Sequence, residues 1–182
     1  MGSSLLILME KRMKQLLAKL VQRVDLISIW SGRILAYLIY PIIGVILWEV
    51  VFRYLLNRPT IWGMELATMI FGTYMLGGGA YASYRSAHVK TDVISHRWSK
   101  RTQAVVNVCT FIFLLFFLCV VLWFSTRYGL ESVRNLERAQ SVWAQPVYHW
   151  KMTLPLAVLL MTLQELSNFI RDVTLAITGK EL

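Results

Sequence analysis

The chain has 182 residues, 57% of them hydrophobic, with a mean hydropathy of +0.54, which is too apolar for a soluble domain of this length. The formal charge of +9 would suit nucleic acid, but 13 of the 19 Lys and Arg residues fall in three clusters beside apolar runs, at Lys11 to Arg33, Arg85 to Arg101, and Arg171 with Lys180. That distribution argues for a polytopic α-helical membrane protein and against a nucleic-acid partner.

Residues 1–28 lack the order of a cleavable signal peptide, namely a charged start, a short apolar core and a small-residue cleavage site. Met13, Leu16, Leu17, Leu20, Val24 and Ile27 recur at helical spacing, with Lys11, Lys14, Lys19 and Arg23 lying away from that face. The pattern predicts an amphipathic helix on the cytoplasmic membrane surface; the alternative is a cytosolic helix packed on a partner. A second unit, residues 29–182, holds four apolar stretches at about 29–56, 61–84, 104–128 and 152–170. A helical crossing takes ~20 mostly apolar residues, so each stretch suffices.

In the first stretch, Pro41 removes the backbone bond to Tyr37 and predicts a kink. Glu49 precedes Arg53 by four residues, the favourable order for a structural ion pair near the outer interface. The "LNRPT" turn then folds the chain back as a tight antiparallel hairpin. The second stretch carries Gly77, Gly78 and Gly79 in a row, which a helix tolerates poorly without a reason. Gly78 with Ala82 and Gly79 with Ser83 form small-x-x-x-small pairs, and Gly72 lies two turns before Gly79. Small residues let helix backbones approach closely in lipid, so these residues form a candidate packing or partner face. A flexible kink is the alternative.

The third stretch contains both cysteines, Cys109 and Cys119, separated by ~15 Å along a helix, too far for a disulfide. In the long loop that follows, Leu130, Val133 and Leu136 suggest a short helix. Pro155 falls in the first turn of the fourth stretch, where proline is tolerated. Further along, Glu165 sits with Gln164 and Asn168. Two readings fit it: Glu165 faces another protein, or it approaches the cytoplasmic surface on a short helix. Four crossings put all three basic clusters on one side, so both termini are predicted to be cytoplasmic.

Glu49, Glu65 and Glu165 all fall at membrane depth, where a charge costs ~2.5–3.5 kcal/mol at the centre and is a functional candidate by default. His88, His96 and His149 lie in loops, which does not suit axial haem ligation. No Cys or His spacing suits a metal, and "GGGAYAS" lacks the Lys-Ser/Thr of a phosphate loop. No catalytic, substrate-binding or metal residue and no cofactor is therefore expected, and an enzyme is not.

The run "WGMELATMIFGTYMLGGGAYASYRSAHVKTDVI" resembles the DctQ family, the small membrane subunits of tripartite ATP-independent periplasmic (TRAP) transporters. Trp62, Glu65, the Gly/Ala stretch 77–80, Arg85, His88 and Asp92 match that family's pattern in order and spacing; Met64 departs from it, since many members carry a further acid there. The resemblance implies a multi-pass protein of the bacterial inner membrane. It implies as partners a large membrane subunit, a periplasmic solute-binding protein and membrane lipid. It further implies sodium-gradient-driven import of carboxylate-bearing solutes, with this chain as the scaffold that braces an elevator-type large subunit. The alternative is a small four-helix proton-coupled multidrug exporter acting as a dimer around Glu49.

Overall fold

The computed structural model describes residues 2–85 and 100–178. Helix α1 (Gly2–Ala36) runs unbroken through the 28/29 boundary expected between a surface helix and the first apolar stretch. The break comes later, at Tyr37 and Leu38, before α2 (Ile39–Val50). Pro41 explains it. Without a proline N–H, the carbonyl of Tyr37 accepts from the amide of Tyr40 at 3.2 Å, one residue short of the α-helical register. The amides of Tyr37 and Leu38 likewise reach back only three residues, to Ile34 and Leu35 at 3.2 and 2.9 Å.

Helix α2 ends in a wider π-type turn, Val51–Leu55, where the amide of Leu56 bonds the carbonyl of Val51 at 3.3 Å. Among the described residues four more helices follow: α3 (Gly63–Tyr84), α4 (Lys100–Arg134), the single turn α5 (Tyr148–Lys151) and α6 (Thr153–Thr178). Leu130 and Val133, expected in a separate short helix, belong to the end of α4. Among the described residues there is no strand, and one isolated bridge joins Arg138 to Pro146.

Among the described residues, three stretches are helical, long and apolar enough to cross a membrane: Gln15–Leu55, Val105–Arg134 and Tyr148–Ile177. Helix α3 has the length, at 22 residues, but its Gly, Ser and Thr content dilutes its hydropathy and leaves it outside that set.

Packing centres on α3 and α6. Helix α6 lies against α3 and α4, helix α2 lies against α3, and α1 is laid across both α3 and α6. Helix α4 buries Phe111, Leu118, Ser125 and Ser132, a seven-residue repeat that keeps one narrow seam on its partner. Phe111 stacks on Phe169 of α6, with ring centroids 4.2 Å apart. The opposite face of α4 exposes Phe113, Phe116, Trp123 and Phe124. Such a broad apolar exterior belongs in lipid or against another membrane protein.

Candidate functional site

Helix α1 turns one line of residues inward. Val21 and Ser28 are buried, Gly32 meets Tyr81, and Leu35 meets Gly77. These positions recur at helical spacing, so a single face of α1 runs along the second half of α3. The glycine contacts explain the composition of α3. A Cβ at Gly77 would collide with Leu35, one at Gly32 would lie 2.5 Å from the Tyr81 side chain, and one at Gly72 would lie 2.9 Å from Trp150. Only a residue without a side chain lets these helices approach so closely.

The predicted packing residues divide on this geometry. Gly72 faces Trp150, Gly79 lies 3.6 Å (from an ideal Cβ) from Met161 Sδ, and Ser83 is buried. Gly78 meets nothing among the described residues, and Ala82 is half-buried. The close packing within the described residues falls on Gly77, with Ala80 and Ser83 continuing the buried line, while Gly78 points away from it. The reason is rotational: one residue turns a side chain by ~100°, enough to move it off the seam.

Where α2 turns into α3, Glu49 is 3% exposed and every oxygen is used. Its Oε1 accepts from Arg53 Nε at 3.1 Å and Nη2 at 2.5 Å, and its Oε2 accepts from the amide of Thr60 at 3.3 Å and from the Thr60 hydroxyl. Gly63 fits this knot because a Cβ there would lie 2.7 Å from both Glu49 Oε2 and Thr60 Oγ1. One turn on, Glu65 accepts from the Ser141 hydroxyl at 2.8 Å, which pins the long loop onto α3. Lys151 donates to Glu137 at 2.6 and 2.7 Å and ties the same loop to α5. That donation holds the Glu137 carboxyl below its ordinary range.

At the opposite end, α1, α3 and α6 share a polar cluster. Gln164, with no exposed surface, donates to Asp25 at 3.0 Å and to Asn168 at 3.4 Å. Asp25 also accepts from Ser167 at 3.4 Å and pairs with Arg171. Asn168 donates to the Ser83 carbonyl at 3.3 Å, and the Ser83 hydroxyl donates to Glu165. Glu165 is therefore engaged by α3 of its own chain. Asp25 and Arg171 escape a reading by spacing, although a signal existed: Asp25 is the lone acid between Arg12 and Arg33 on a basic helix.

Of the motif residues, Trp62 immediately precedes α3, Glu65 lies in its first turn, and Arg85 follows its end. His88 and Asp92 lie outside the described residues. Cys109 and Cys119 are both free and exposed. Among the described residues, no group of three or more His, Cys, Asp or Glu side chains could hold a metal ion. Chemically, the arrangement fastens helices: Asp25, Glu49, Glu65 and Glu165 are each engaged by a hydroxyl, an amide or a guanidinium of the same chain.

Comparison with known proteins matches residues 42–175 to the DctQ component of tripartite ATP-independent periplasmic transporters. The sialic acid TRAP transporter small permease protein SiaQ of Vibrio cholerae is 33% identical over 66 residues, which is 36% of this chain and 38% of that protein. The chain thus spans well under half the length of the curated relative that it matches.

Proposed function

The chain belongs to the DctQ family of tripartite ATP-independent periplasmic transporters, and we propose on that footing that it is the fixed brace of a sodium-driven importer. As a small TRAP permease subunit it is a multi-pass protein of the bacterial inner membrane and a transport component rather than an enzyme. Our reading has four crossings: α1 with α2, then α3, α4 and α6. Both termini are cytoplasmic, and the first part of α1 lies on the membrane surface. The proposed partners are a large membrane subunit that moves as an elevator and a periplasmic protein that captures carboxylate-bearing solutes. Sialic acid, the solute in the relative's name, is of that chemical class.

The family match over residues 42–175 carries this reading. The polar ties support the static role, because helices fastened by buried hydrogen bonds resist sliding past one another. The exporter reading is disfavoured by Glu49. A proton-coupling carboxylate must exchange its partners, whereas both oxygens of Glu49 are occupied by Arg53 and Thr60.

Reconstitution tests the proposal. Liposomes holding this chain with its large subunit, supplied with the binding protein, should accumulate a carboxylate solute under an inward sodium gradient without ATP. Omitting this chain should abolish uptake. Uptake that persists without it, or that ignores sodium, contradicts the reading.

A further inference from the structure

The bend between α1 and α2 opens a groove of about 450 Å³ on the exposed face of the chain. Trp30, Arg33, Tyr37 and Tyr40 line it, at spacings of three, four and three residues that keep them on one side of the broken helix. The rings of Tyr37 and Tyr40 stack with centroids 6.3 Å apart. Arg33 is exposed among these rings and has no acidic partner among the described residues. The same imbalance extends along α1. Between residues 12 and 36 the exposed charges, Arg12, Lys19, Arg23 and Arg33, are all cationic, because the acid of that stretch, Asp25, is turned onto Arg171.

We propose that this groove binds an anionic phospholipid, with the Arg33 guanidinium holding the headgroup phosphate and the acyl chains lying along Ile43, Ile46 and Leu47 of α2. Three independent features converge on that occupant. A guanidinium presents a planar fork that matches phosphate oxygens in pairs. Trp and Tyr rings favour the headgroup level of a bilayer, where one edge is wet and the other apolar. A helix stretch whose exposed charges are all cationic, as between residues 12 and 36, is drawn to an anionic leaflet, and here it delivers that charge to the mouth of the groove. Beyond the groove, Ile43, Ile46 and Leu47 are exposed and aliphatic, as a surface for acyl chains should be. An apolar protein helix docked there would instead bury Arg33 without a counter-charge, which is costly.

The proposal rests on the reading of this chain as an inner-membrane subunit, so the test separates the two. The full chain would be purified in detergent with its large subunit, then exposed to equimolar phosphatidylglycerol and phosphatidylcholine, and retained lipid read by native mass spectrometry. The wild type should retain phosphatidylglycerol several-fold over phosphatidylcholine. Arg33→Gln should lose that preference, Arg33→Lys should keep part of it, and Arg58→Gln, beyond the opposite end of α2, should match wild type. A photoreactive side chain at Tyr37 should capture lipid. Equal retention of both lipids by the wild type, an unchanged preference in Arg33→Gln, or capture of the large subunit from position 37 would each overturn the site. Failure to co-purify with the large subunit would overturn the subunit reading instead, and the lipid preference of the chain alone would still decide the groove.

Discussion

At the α2–α3 turn itself the polar ties are short in sequence: Glu49 meets Arg53 four residues on and Thr60 eleven on, and in the neighbouring loop Lys151 reaches Glu137 fourteen residues back, although Ser141 of that loop also reaches Glu65 across 76. At the other end they are long, with Asp25 joined to Gln164 and Arg171 across 139 and 146 residues, and Ser83 to Glu165 across 82. The contrast separates two jobs. Short ties shape turns and loops that the chain would enter anyway. Long ties select which helices assemble, because they join elements that nothing else in the sequence brings together. Losses at the α1–α3–α6 end should therefore disturb assembly, and losses at the α2–α3 turn should disturb local geometry.

The largest effect should come from the seam that holds the long-range end in register. Gly77→Leu forces a side chain into Leu35, and overpacking costs ~1–3 kcal/mol even where a core can relax. Thermal melting of the purified chain should fall markedly, while Gly78→Leu, which meets open space, should shift it by no more than ~0.5 kcal/mol. If Gly78→Leu leaves the melt intact but weakens co-purification with the large subunit, that position faces the partner. Equal melts for the two variants would erase the distinction between the two glycines.

Next in size is Asp25→Ala. It leaves the Arg171 guanidinium without its acid and the fully buried Gln164 amide with only Asn168 to donate to, and a buried donor short of an acceptor costs ~1–3 kcal/mol. Hydrogen exchange should rise along residues 15–30 of α1 and leave the α2–α3 turn protected. Exchange that rises equally in both places would show that the ends are not independent.

A smaller change is expected from Glu49→Gln, whose one remaining oxygen can still accept from Arg53 while its new amide donates to the Thr60 hydroxyl, with only the Thr60 amide losing its acceptor. Solute uptake should stay within a few-fold of wild type, with the complex assembled. Abolished uptake in an intact complex would give Glu49 an ion-coupling role.

The smallest effect concerns the loop over residues 135–147. Lys151 keeps the folded carboxyl of Glu137 below its ordinary value, so this tie stabilises the loop above the unfolded carboxylate range and is lost as pH falls through the lower, folded value. Exchange protection of the loop should therefore drop on acidification, and Glu137→Gln should flatten that dependence. A pH response unchanged in the variant would remove the role assigned to this pair.

The same contrast decides what could be read in advance. Helical spacing places Glu49 and Arg53 on one face, so a rule of four residues suffices to suggest the pair. The Gly-rich run announces close packing, but the choice between Gly77 and Gly78 depends on where α1 crosses, and no local pattern carries that. The second helix could be placed at about 61–84, against the observed Gly63–Tyr84, because a turn bounds it on one side and a basic exit on the other. By contrast, the boundary expected at 28/29 marks a change of composition and not of backbone, and the break follows Pro41 instead. Asp25 stands out as an acid on a basic helix, yet its partners lie in the last helix, beyond the reach of any spacing rule.

The central claim is that this chain is a fixed brace, and locking α1 to α6 tests it most directly. Cysteines at positions 25 and 171, in a background without Cys109 and Cys119, would be joined by a short bifunctional thiol reagent that replaces the lost ion pair with a covalent one. A brace predicts that the crosslinked complex transports solute at the rate of the untreated one. Uptake that stops on crosslinking, and resumes when a cleavable linker is cut, would show that α1 and α6 must move apart during transport and would contradict the account.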